Sequence, residues 1–184
     1  MNEVLTAIRE RRSIRHFSAD PVSEEALNDV LDAVRWSQSW ANTQCWEIVV
    51  VRDQAVKAAL AETLAKGNPA GKAMLAAPVV LVLCGKLGAS GYYKGVVTTK
   101  FGDWFLFDLG IAAQSLCLAA HEKGLGTVVV GLFDHDRAKA VLSVPEGYEL
   151  VAMIPVGRPE KGSAAPKRRE ISEFTHADAF GRKG

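Results

Sequence analysis

The stretch from about Phe101 to Lys123 constrains this chain more than any other. It has helical spacing, yet Phe101, Trp104, Phe105, Ile111, Ala112, Leu116 and Ala119 spread apolar character over more than one face. A helix apolar most of the way round must be covered on several sides, by its own fold or by a partner subunit. Ala112, Ala113, Ala119 and Ala120 let another element come close, and Gly124 is a natural stop. Asp108 and Gln114 are the polar exceptions, and Asp108 is expected to pair structurally rather than to act in chemistry. The other elements have to be arranged around this helix.

Val4, Leu5 and Ile8 lie at helical spacing and predict a first helix over 2–12. Ser23 is an N-cap, with Val22 and Leu27 as a hydrophobic staple, for a second helix over 24–36. Residues 46–51 read as a strand apolar enough for burial on both faces, and 79–83, just after Pro78, read so more strongly. Between them Asp53 caps a helix with Val56, Leu60 and Leu64 on one face and Gly67 as its stop. Asn68-Pro69 breaks the chain again. Glycine-rich 85–95, with Tyr92 and Tyr93, reads as a mobile loop, either a lid or a ligand-facing segment. Residues 127–130 and 149–156 read as strands, separated by a short helix capped by Asp134. From Glu160 a polar, basic tail has no core periodicity. Two helices followed by mixed strands and helices, without repeat or linker, predict an α+β fold. The expected domain is 1–184, with 160–184 a C-terminal tail that either wraps a partner subunit or is loose.

Composition narrows the function classes. Hydrophobic residues make up 48% and the formal net charge is +1, which argues against disorder and gives no general case for nucleic acid. No apolar run approaches the roughly 20 residues of a membrane span. The N-terminus has no basic region followed by an apolar one, so no signal peptide is expected. Cys45, Cys84 and Cys117 are odd in number and lack CxxC spacing, which suits reduced thiols, two of them core, in a cytoplasmic protein. His16, His121, His135 and His176 are scattered, so no metal is expected.

Two stretches carry the chemistry. In Arg11-Arg12-Ser13-Ile14-Arg15, three guanidinium groups and a hydroxyl fall within five residues, a set suited to an anionic ligand. The plainer alternative is a solvated charge run at a helix end. In Trp36-Ser-Gln-Ser-Trp-Ala-Asn-Thr-Gln-Cys-Trp46, three tryptophans punctuate amides and hydroxyls, with no glycine or proline to mark a simple turn.

Together these stretches resemble the nitroreductase family of FMN-dependent oxidoreductases. Residues 11–17, Arg-Arg-Ser-Ile-Arg-His-Phe, are similar to its N-terminal Arg-(Arg/His)-Ser-x-(Arg/Lys)-x-Phe motif. Residues 39–46 resemble its Ser-x-x-Asn-x-Gln-Pro-Trp segment, with Cys45 in place of proline. Asp108-Leu-Gly-Ile-Ala-Ala-Gln-Ser-Leu followed by Gly124-Leu-Gly126-Thr resembles its central helix and exit. Pro155-Val-Gly157 and Lys167-Arg168-Arg169 fall at its last strand and late basic residues.

The resemblance implies a mostly antiparallel central sheet flanked by helices, in an intertwined homodimer with a long interface helix and two FMN sites built from both subunits. Arg11, Lys167 and Arg169 would hold the phosphate, with Arg12 and Ser13 beside them toward the ribityl chain. Arg15 would reach the pyrimidine end, where a permanent cation favours the reduced, negatively charged flavin. Ser39, Asn42 and Gln38, the last in place of a family proline, would come from the other subunit. The Gly131-Leu132 peptide would offer an N–H near flavin N5. Asn42 and Gln44 could instead merely satisfy loop backbone, and Trp40 is expected to pack rather than narrow the substrate side. The implied activity takes hydride from NADH or NADPH and passes it, ping-pong, to an electron-poor small molecule such as a nitroaromatic or quinone. No catalytic side chain is required, because the flavin does the chemistry. A dimer that holds FMN as a sensor or store, without turnover, is the alternative.

Overall fold

Asn2, Ser23, Asp53 and Asp134 each accept a backbone N–H at the start of a helix, two to three residues downstream. These caps begin α1 (Glu3–Glu10), α2 (Glu24–Arg35), α3 (Gln54–Ala61) and, later in the chain, a short helix described below. The computed structural model describes residues 2–183. A short 3₁₀ turn (Trp40–Asn42) precedes β1 (Trp46–Val51). After α3 come α4 (Gly71–Ala76), β2 (Val79–Lys86) and the hairpin strands β3 (Tyr92–Tyr93) and β4 (Val96–Val97). The long helix is α5 (Phe105–Glu122), followed by β5 (Gly126–Thr127) and the short helix α6 (His135–Val141). The chain closes with β6 (Tyr148–Gly157) and α7 (Ile171–Phe174) in the tail.

The main sheet runs β1-β2-β6-β5, and every pairing in it is antiparallel. Strand β2 alternates between two cores. Val80, Val82 and Cys84 pack with Leu60, Met74 and Met153 on one face. Val79, Leu81 and Leu83 pack with Val30, Leu109, Leu116 and Ile154 on the other. That double burial is why its sequence is a continuous aliphatic run rather than an alternation. Helix α5 lies on the second face against α2, with Leu109, Ala112, Leu116 and Ala120 almost fully buried.

The structure departs from the sequence expectations in several places, and the long helix starts at Phe105 rather than at Phe101. Helix α3 ends at Ala61, and Leu64 instead bridges to Phe133. Helix α4 follows the Asn68-Pro69 break, where no helix was expected. Residues 85–95 are not a loose loop: Gly85 and Lys86 continue β2, and the rest begins a tight hairpin. Gly85 is glycine because Leu109 and Phe105 of α5 press on it, with a Cβ there 2.8 Å from Leu109 Cδ1. The strand expected over 127–130 is only Gly126–Thr127, with Val130 making a separate bridge to Met153. All three cysteines are buried and free, so Cys45 belongs to the core as well.

Candidate functional site

Arg11 closes α1, and the next residues run extended beside β5. Ser13 pairs in parallel with Thr127, and the Ile14 N–H donates to the Thr127 carbonyl at 2.9 Å. Ile14 is buried, which pins the strap and leaves its arginines at the surface. They fall into two hollows. Arg11 and Arg12 line one of about 240 Å³ with His121, Thr127 and the first tail residues, Gly162 and Ser163. Arg15 lines another of about 350 Å³, walled by residues 65–70 and 128–132. Arg12 donates to the carbonyls of Arg9 and Arg11, capping its own helix, so the charge-run alternative holds in part for this residue.

The Arg15 hollow contains the Gly131-Leu132 peptide expected there. It also contains residues that sequence reasoning passed over. The Asn68 amide donates to the Leu132 carbonyl at 3.0 Å and accepts from the Ala70 N–H at 2.9 Å, which ties the 65–70 wall to the backbone just past the Gly131-Leu132 peptide. Lys66 stands on the same wall. The signal was an amide next to proline after Gly67, which was read only as a break. Leu132 is 67% exposed and no protein atom lies within 4 Å of a Cβ placed on Gly131. A flat ligand can therefore lie against this backbone.

The second stretch forms a separate cluster. Ala41, Asn42 and Gln44 have φ of 46°, 54° and 47°, in the left-handed region, at about 1–2 kcal/mol each. Ser39 Oγ accepts the Gln44 N–H at 2.9 Å, and Asn42 Oδ1 accepts from the Gln44 amide at 3.3 Å. Gln38 and Asn42 are exposed and Ser39 half-buried. The Trp40 N–H reaches both Asp108 oxygens, at 3.1 and 3.2 Å. Asp108 also accepts from Ser90 Oγ at 2.6 Å and from Cys45 Sγ at 3.6 Å. Burial, and then the Asp108 charge, push the Cys45 thiol up to about 11.

These clusters do not meet within one chain. Asp108 is in the first turn of α5, whereas Thr127 lies just beyond its last turn. The helix from Asp108 to the end of α5 at Glu122 already spans about 21 Å. Along the helix between them runs an open apolar trough lined by Leu106, Phe107, Ile111, Gln114 and Leu118, with Leu106 and Phe107 each 59% exposed. Lys167 and Arg169 are exposed on the tail, where Arg169 donates to the Glu173 carbonyl and stacks over Phe174. Ile171, Phe174 and Phe180 are exposed there too, at 72%, 53% and 95%. Among the described residues no group of three or more His, Cys, Asp or Glu could hold a metal, and no helix is long and apolar enough to cross a membrane.

Comparison with known proteins matches residues 8–158 to the model of the nitroreductase family. The chain is similar to an NADH dehydrogenase of Thermus thermophilus, with 33% identity covering 84% of this chain and 85% of that one. It is also 27% identical to an FMN reductase (NAD(P)H) of Bacillus subtilis, over 98% of this chain and 75% of the relative. The solved structure of NfrA2 from B. megaterium superposes with a TM-score of 0.83 at 26% identity, over 98% of this chain and 76% of the other.

Proposed function

The chain belongs to the nitroreductase family, and on that premise we propose that it is an FMN-dependent NAD(P)H oxidoreductase acting as a homodimer. The observation that carries this reading is the split site. Basic and amide-rich halves sit at opposite ends of α5, with an uncovered apolar stripe between them. A second copy packed antiparallel along that stripe brings each chain's Arg11–Arg15 strap to the other's 38–44 loop, twice over. The exposed apolar side chains of the tail then gain a partner surface, which supports a tail that wraps the second subunit.

The residues fit the cofactor. Arg11 offers a bidentate fork for a phosphate beside its hollow, and Lys167 and Arg169 add charge when the tail folds over. Arg15 supplies a permanent cation on the wall of the second hollow. Asn68 holds the Leu132 carbonyl and so steadies the chain just past the Gly131-Leu132 peptide, the backbone that would face a planar ring. Ser39 and Asn42 complete the pocket from the partner. Bound FMN supplies two-electron transfer from NADH or NADPH to an electron-poor acceptor such as a nitroaromatic or quinone, in turn at one site. The protein residues bind, orient and tune; none has to act as acid, base or nucleophile.

The test is the visible spectrum of the purified protein before and after anaerobic NADH or NADPH. Flavin absorbance that bleaches, and returns when a quinone is added, is the expected result. Flavin that stays oxidised with both nucleotides points to a sensor or store. No flavin, and none taken up from added FMN, overturns the reading.

A further inference from the structure

We infer that Asp108, which lies on neither hollow, is the positioning residue that gives the 38–44 loop its cofactor-facing shape. This rests on the reading above that Ser39 and Asn42 meet FMN. Asp108 is only 1% exposed, yet it carries a carboxylate inside an otherwise apolar helix surface. Three donors from two separate segments converge on it: the Trp40 N–H, the Ser90 hydroxyl and the Cys45 thiol. An ionised carboxylate is acceptor-only, so it alone among small polar side chains satisfies all three without presenting a donor of its own.

The loop needs such an anchor. Its bonds from Ser39 and Asn42 stay within the loop, and three of its non-glycine residues are in the left-handed region. Backbone of that kind persists only where its surroundings over-determine it. The tie from Trp40 to Asp108 joins the loop to the first turn of α5, the same helix whose uncovered stripe faces the second copy. Loop geometry and interface geometry are therefore set by one rigid element. Ser90 brings in a third segment, because the Trp104 N–H donates to its carbonyl at 3.0 Å and so fixes the base of the 91–104 hairpin.

The experiment titrates FMN into apo Asp108→Asn, Asn42→Ala and the double variant, following flavin fluorescence, with dimer mass and amide hydrogen exchange measured alongside. Asparagine keeps the shape but turns an N–H₂ toward one of the three donors. The expected result is a dimer that binds FMN about tenfold or more weakly, with faster exchange at 38–44. The Asn42→Ala loss should shrink in the Asp108→Asn background, because both act through one loop. Ser90→Ala, which keeps the carboxylate and removes one donor, should give a smaller loss in the same direction and serves if Asp108→Asn does not fold. FMN affinity within twofold of wild type at lowered thermal stability would reduce Asp108 to a structural role and overturn the inference. Fully additive losses in the double variant would do the same. A wild-type protein that takes up no FMN overturns the flavin reading itself, and this inference with it.

Discussion

Ile14 lies so close to Gly126 that a methyl group on the glycine would stand 2.7 Å from the Ile14 Cβ. Ile14 is β-branched and buried, and its N–H is bonded to the adjacent Thr127, so it cannot swing away. The contact sets how near the arginine strap lies to the sheet.

Gly126→Ala should therefore destabilise the protein by about 1–3 kcal/mol, roughly 2–12 °C in Tm for a chain of this size. Gly131→Ala should be nearly silent in stability, since its Cβ meets nothing within 4 Å, while weakening FMN binding. Calorimetry and flavin titration of the two variants separate the effects. Equal thermal losses would contradict the packing argument.

Ile111 is on the uncovered stripe of α5, so Ile111→Arg places a charge where a second copy is expected to pack. The expected product is a monomer that also loses flavin, because in the proposed dimer each pocket needs both chains. Light scattering coupled to gel filtration gives the mass, and absorbance gives the flavin content. A dimer with full flavin would argue for another interface.

Arg15→Gln removes a permanent cation from the wall of the second hollow while keeping a polar, hydrogen-bonding group on a shorter side chain. The midpoint potential of bound FMN should fall by about 30–60 mV, while FMN affinity in the oxidised state changes less. Spectroelectrochemistry measures both. An unchanged potential would move Arg15 away from the ring.

Burial pushes the Cys45 and Cys84 thiols up to about 11, helped by Asp108 and Glu47 respectively. A raised thiol pKa means that the unfolded chain loses its proton first, so stability should fall from about pH 9 to pH 11. Each thiol contributes up to about 1.4 kcal/mol per pH unit over that window. Lys57 opposes this, because burial lowers its pKa and stability then rises with pH. The comparison is therefore one of slopes: urea midpoints of Cys45→Ala and Cys84→Ala should decline less steeply than wild type. At pH 8 the native protein should resist iodoacetamide at every cysteine.

Local rules made most of the fold legible. Caps at Ser23, Asp53 and Asp134 and the unbroken apolar run of β2 identify their elements because each is decided by near neighbours. Gly85 misled because the reason for that glycine is the side chain of Leu109, more than twenty residues away. Asn68 was missed for a similar cause: the local pattern of an amide before proline marks a break, while its partner at the site is the distant carbonyl of Leu132. The arginine strap and the 38–44 loop were found by motif, but their separation along α5 is a matter of tertiary geometry that no local pattern carries.

That separation has a genetic consequence. A copy damaged in its arginine strap still carries a sound 38–44 loop, and a copy damaged in the loop still carries a sound strap. In the proposed homodimer, two such defective alleles in one cell would assemble one dead pocket and one intact pocket in each mixed dimer, and none intact in dimers of like copies. Two inactive gene products could thus complement each other, restoring part of the activity that neither encodes alone.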